Sequence, residues 1–199
     1  MPWRSASRGS IDMTTSTIRL ARADARVPLF AIGFAAAVAA ASQVAVPLPF
    51  TPVPLTLQPM LVVLAGMLLG PVAGAASMLL YLAAGATGLP VFTPMGAPGI
   101  ARFLGPTGGY LIAYPAAAFV AGALARRTTS LRGRWFAATV GMAVIYVGGI
   151  AQLAVLTASV SRAIQLGVTP FAAFDVVKAL GAAIVLGWSG AASVTRPRR

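Results

Sequence analysis

The 199-residue chain contains no cysteine and no histidine, and it has only three acidic residues and one lysine. Without cysteine there is no disulfide and no thiol nucleophile. Without histidine the commonest general base and the commonest zinc ligand are both missing. A paired-carboxylate mechanism needs two acids in one site, and beyond Asp12 and Asp24 near the N-terminus only Asp175 remains. These absences exclude most enzymatic chemistry, and no metal site or cofactor is expected. Charge as a whole is scarce, at 9% of residues, where a water-soluble domain carries roughly a quarter. What fills the space is apolar: 58% of residues, with a mean hydropathy of +0.86. The chain therefore reads as an all-α integral membrane protein.

The net charge of +12 comes almost wholly from arginine. These arginines do not form a nucleic-acid patch, because they lie in the gaps between apolar runs, as the loops of membrane proteins do. Residues 1–26 form a polar basic leader with five arginines, and Met13 is an alternative start. Residues 27–194 form the transmembrane domain and residues 195–199 a basic tail. Apolar runs at Val27–Ala45, Leu57–Leu69, Val72–Ala84, Thr107–Ala125, Trp135–Ser159 and from Phe171 or Phe174 to Ser193 predict six spans. With both termini in the cytoplasm, twelve arginines face inward and only Arg102 and Arg162 face outward, which satisfies the positive-inside rule.

Between the first two spans the stretch PLPFTPVPLTLQP, Pro47–Pro59, holds five prolines and predicts an extended entry segment. Gly70 and Pro71 stop one helix and start the next. Gly85–Pro106 is too rich in glycine and proline for a helix and too apolar for a free loop, so it is expected to fold back over the protein. Ser161–Thr169 reads as a polar loop.

Asp175 and Lys178 stand at the head of the last apolar run, in FDVVKAL. An ionised side chain near the bilayer centre costs about 2.5–3.5 kcal/mol, so both should face the bundle interior, and a spacing of three puts them on one helix face. Two roles fit that placement. One is a structural ion pair that fixes helix register. The other is a pocket open to the outside, in which Asp175 accepts from ligand N–H groups and Lys178 donates. Arg102 is the natural companion charge, and Thr56, Gln58, Tyr81, Tyr110, Tyr146 and Gln152 are candidate polar groups.

Four stretches then supply a resemblance: PLPFTPVPLTLQ (Pro47–Gln58), LLGPVAGAASMLLYLAAGATGLPVF (Leu68–Phe92), FLGPTGGYLIAYP (Phe103–Pro115), and PF followed by DVVKA (Pro170–Ala179). In this order they resemble the BioY family, the biotin-specific substrate-binding (S) components of energy-coupling factor transporters. The resemblance implies an S-component-like bundle of six helices in a bacterial plasma membrane that binds biotin from outside. It implies that the D-x-x-K aspartate and lysine, Asp175 and Lys178, contact the vitamin. It further implies docking on a transmembrane coupling protein driven by paired ATPases, through a small-residue face on the first helix, here Ala31, Ala35 and Ala39. Alone, such a chain forms a homo-oligomer or works slowly. No GxxxxGK[ST] string occurs, so the ATP site must come from partners. Ala173 and Phe174 replace the family's usual Pro-Gly, which lets the last helix begin ahead of Asp175. The competing readings are a membrane scaffold without ligand and an S component for another vitamin.

Overall fold

A computed structural model of the chain describes residues 26–189. The leader ahead of Arg26, the alternative start at Met13 and the tail from residue 195 lie outside the described residues. Seven α-helices, one two-stranded sheet and one 3-10 helix make up the rest. Helix α1 (Arg26–Gln43) is followed by strands β1 (Ala45–Leu48) and β2 (Thr51–Thr56). This hairpin corrects the expectation of an all-α chain. The proline run is extended, as its locked φ angles require, but it also pairs with itself, Ala45 with Thr56 and Leu48 with Thr51. The register slips between Val46 and Leu48, at Pro47, which has no N–H to give to the ladder. In a two-stranded ribbon every strand is an edge, so the remaining prolines cost little.

Helices α2 (Gln58–Leu69) and α3 (Pro71–Ala86) meet at Gly70, whose φ of +87° is open to glycine and strained for other residues. The chain doubles back so tightly that a Cβ on Gly74 would lie 2.5 Å from the Gly66 Cα. A 3-10 helix, Gly99–Leu104, punctuates the irregular segment before α4 (Gly108–Ala125) and α5 (Leu131–Thr157). The Ser130 hydroxyl caps α5 by accepting from the Gly133 N–H at 3.1 Å.

Residues 161–169, expected to be a polar loop, are largely helical: α6 spans Val160–Gly167. The Ser159 hydroxyl caps it by accepting from the Arg162 N–H, and Ala163 and Gly167 bury against the bundle, so local polarity is overruled by a cap and two small contacts. Helix α7 (Ala172–Trp188) follows after a bend of 56°. Among the described residues α4 and α5 are each long and apolar enough to cross a membrane, and α6 with α7 qualifies as one bent span. Helices α1, α2 and α3 are apolar but shorter.

Small residues make the helix interfaces. Ala117, Ala118, Ala121, Ala137, Ala138 and Ala182 are fully buried, and at Gly66 an added Cβ would collide with the Ala118 carbonyl at 1.8 Å. Large aliphatic side chains point outward, with Val72 at 73% and Val155 at 79% exposure. That distribution suits lipid as solvent, because helix association in a membrane relies on close backbone approach rather than on burying large apolar groups.

Candidate ligand-binding site

At the hairpin end of the bundle, the packing of α2, α3, α4, α5 and α7 leaves a cavity with about 670 Å³ of free space including its mouth. Its accessible surface is mostly apolar and is interrupted by placed polar groups, as small-molecule sites require. Phe92, Leu111, Met142, Ile145 and Phe171 supply apolar surface. Among its polar groups are Thr56, Gln58, Tyr146, Asp175 and Lys178.

Because α7 begins at Ala172, Asp175 falls in its first turn, where the exposed N–H groups of a helix favour an anion. Its own N–H bonds the Phe171 carbonyl at 2.9 Å, which anchors the residue in the helix. The Lys178 Nζ donates to Asp175 Oδ1 at 2.7 Å, and the Tyr146 hydroxyl donates to Oδ2 at 2.5 Å. The carboxylate is 7% exposed and held from two directions, yet an ionised carboxylate offers about four acceptor positions. Capacity remains for ligand N–H groups.

Across the cavity, the buried Gln58 donates through Nε2 to the Tyr81 hydroxyl at 2.7 Å. Its Oε1 faces the hydroxyls of Thr56 at 3.3 Å and Tyr114 at 3.5 Å. Tyr110 lines the cavity too, but its hydroxyl is committed to the Gly167 carbonyl at 2.9 Å, tying α4 to α6. The fold therefore gathers Thr56, Gln58, Tyr81, Tyr110, Tyr146, Asp175 and Lys178 around one space.

Two of the singled-out polar residues are not brought there. Gln152 turns to the Phe103 and Leu104 carbonyls. Arg102, 5% exposed, donates to the carbonyls of Thr93 and Met95 and lies 6.0 Å from the Phe92 ring centroid. It lines a separate adjoining space with Leu48, Thr51 and Thr107, and so backs the cavity wall instead of forming it. The small-residue face of α1 lies partly inward. Ala31 is buried and its carbonyl accepts from the Ser77 hydroxyl at 2.7 Å, while Ala35 and Ala39 pack against the core. Ser77 on α3 occupies that side, so the outward face of α1 is Leu29, Ile32, Gly33, Ala36 and Ala40.

Sequence reasoning missed Phe92, Thr93, Tyr114 and Phe171 as cavity residues. Only Tyr114 carried a usable signal, four residues after Tyr110 and thus on the same helix face.

The chain belongs to the BioY family, whose model matches residues 13–193. It is similar to the "Probable biotin transporter BioY" of Pyrococcus horikoshii, with 44% identity over 67% of this chain and 78% of that protein. The "Biotin transporter BioY" of Thermotoga maritima is 35% identical over 69% of this chain and 81% of that protein. Among solved structures, the crystal structure of an S-component for biotin from an ECF-type ABC transporter superposes with a TM-score of 0.75 at 27% identity. That likeness covers 81% of this chain and 89% of the other.

Proposed function

We propose that this chain is the biotin-binding subunit of a vitamin transporter and captures biotin from the outer side of a bacterial plasma membrane. The observation that carries the reading is the Asp175–Lys178–Tyr146 cluster inside an apolar cavity, in a chain that belongs to the BioY family. Biotin presents two ureido N–H donors, a ureido carbonyl, an apolar sulfur ring and a carboxylate. The free acceptor positions of Asp175 match the N–H donors. Lys178 matches a carbonyl or carboxylate, and the ring of Phe92 with Leu111, Met142 and Ile145 matches the sulfur ring. Thr56, Gln58 and Tyr110 shape the opposite wall, and Arg102 acts from behind it.

Six membrane crossings with both termini in the cytoplasm fit this reading. The crossings are α1, α2, α3, α4, α5 and the bent α6–α7 pair, and the arginine distribution supports their direction. In this reading the hairpin and the 3-10 segment lie at the outer surface. Transport draws its energy from a transmembrane coupling protein and paired ATPases. A partner that docks on the small-residue face of α1 meets the half-exposed Ala35 and Ala39 together with the exposed Gly33, Ala36 and Ala40, while Ala31 lies beneath them.

The test is equilibrium binding of labelled biotin to the purified protein in lipid nanodiscs, with thiamine and riboflavin as competitors. Saturable binding displaced by unlabelled biotin alone is expected. Absence of binding by a folded protein would return the ion pair to a purely structural role.

A further inference from the structure

The segment Pro90–Met95 supplies Phe92 and Thr93 to the cavity wall, yet it belongs to no helix or strand. Phe92 and Thr93 are both buried, so their backbone carbonyls cannot rely on water or on a ladder for their hydrogen bonds. The structure satisfies them with side chains from outside the segment. From one side Arg102 takes the Thr93 and Met95 carbonyls. From the other, the last two residues of α1 take those of Pro90, Val91 and Phe92. The Ser42 hydroxyl, fully buried, lies 2.7 Å from the Val91 carbonyl and 2.6 Å from the Ala39 carbonyl. The Gln43 Nε2 lies 3.2 Å from the Pro90 carbonyl, 3.1 Å from the Phe92 carbonyl and 2.8 Å from the Ser42 Oγ.

Gln43 has two amide protons and four oxygens within reach, the Ser42 Oγ, the Pro90 and Phe92 carbonyls and, within the helix, the Ala39 carbonyl at 3.3 Å, so its two bonds are shared among them. That leaves the single Ser42 proton for Val91 or, within the helix, Ala39. What this network holds in place is the Phe92 ring. The ring meets Tyr81 edge-on at 5.4 Å between centroids and Phe103 at 5.7 Å, and it fills the space above Gly85, where a Cβ would sit 2.1 Å from its Cζ. Tyr81 in turn accepts from Gln58, so the chain of contact runs from the end of α1 to a polar group inside the cavity.

We infer that Ser42 and Gln43 are positioning residues of the ligand site. They fasten the end of α1 to the backbone of Pro90, Val91 and Phe92 and so set the wall against which a ligand rests. Neither lines the cavity itself: Gln43 acts through Phe92, and Ser42 acts through Phe92 and through the neighbouring Tyr81. The consequence is kinetic: the fastened wall slows ligand escape while leaving entry largely unchanged. The kinetic half of this inference rests on the uptake reading, but its structural half does not.

The test uses the full chain in nanodiscs. Gln43→Glu keeps the shape and removes the donors at an exposed position, and Ser42→Ala removes the hydroxyl. Hydrogen–deuterium exchange without ligand is expected to rise over residues 88–96 in both variants and to stay unchanged over α4 and α5. Dissociation of labelled biotin is expected to quicken about five- to tenfold, the loss of one or two ordinary hydrogen bonds, with association within about twofold of wild type. Combining Gln43→Glu with Phe92→Leu should add nothing further to the dissociation rate, since both act on one contact. Unchanged exchange over 88–96 in both variants overturns the inference whether or not biotin binds. So does an unchanged dissociation rate, or a rate that multiplies in the double variant. If wild type binds no biotin, the uptake reading fails and the exchange experiment alone decides the clamp.

Discussion

Asp175 and Lys178 each hold the other's charge in a site that water hardly reaches, so removing one strands the other. Breaking a buried pair typically costs about 3–5 kcal/mol. Asp175→Asn should therefore lower both thermal stability and biotin affinity, the latter by about 100-fold or more. The double variant Asp175→Asn with Lys178→Met separates the two roles. It is expected to regain most of the lost melting temperature, because no unpaired charge remains, without regaining binding. Recovery of both would mean that the pair serves the fold alone. Tyr146→Phe removes one hydrogen bond to Oδ2 and leaves the pair intact. Its expected effect is smaller, about tenfold in affinity, measured in the same nanodisc assay.

Helices α4 and α5 cross where neither carries a side chain of any size. A Cβ on Gly109 would meet the Gly148 carbonyl at 2.1 Å, and one on Gly148 would meet the Gly109 carbonyl at 2.4 Å. Both contacts are to backbone, which cannot rotate away. Gly148→Ala should therefore push α5 from α4, costing about 1–3 kcal/mol in overpacking. The same shift moves Tyr146, two residues away, relative to Asp175. We expect a lower melting temperature in detergent together with weaker biotin binding. Gly33→Ala on α1, with no atom within 4 Å of its would-be Cβ, should leave both unchanged and serves as the matched control. A Gly148→Ala protein of wild-type stability would refute the close crossing.

The absence of cysteine makes the proposed topology directly measurable, since any introduced thiol is unique. Leu89→Cys, in the segment after α3, and Ser130→Cys, at the start of α5, lie on opposite faces of the membrane in the six-crossing reading. A membrane-impermeant maleimide applied to intact cells should label Leu89→Cys and spare Ser130→Cys until the membrane is opened. Labelling of both, or the reverse order, would invert or break the arrangement.

Scarce charge, abundant apolar residues and arginines confined to gaps already define a membrane protein, because backbone in lipid must satisfy itself and charge must stay near water. The last helix was also legible. Asp175 and Lys178 share a face by spacing alone, and nothing in Ala173 or Phe174 delays the helix start. Their meeting with Tyr146 was not, since that partner stands 29 residues away and reaches Asp175 only when α5 packs beside α7. Arg102 could be read as a free charge seeking a ligand until the fold surrounded it with the Thr93 and Met95 carbonyls. Ala31, Ala35 and Ala39 must lie on one side of α1 by period. Which neighbour that side meets is a long-range fact, and here it meets α3 and the core. Prolines dictate an extended backbone at residues 47–54, but pairing it into a hairpin depends on bringing two stretches of chain together. Local spacing determines which side chains share a surface. The packing of distant segments determines what that surface faces.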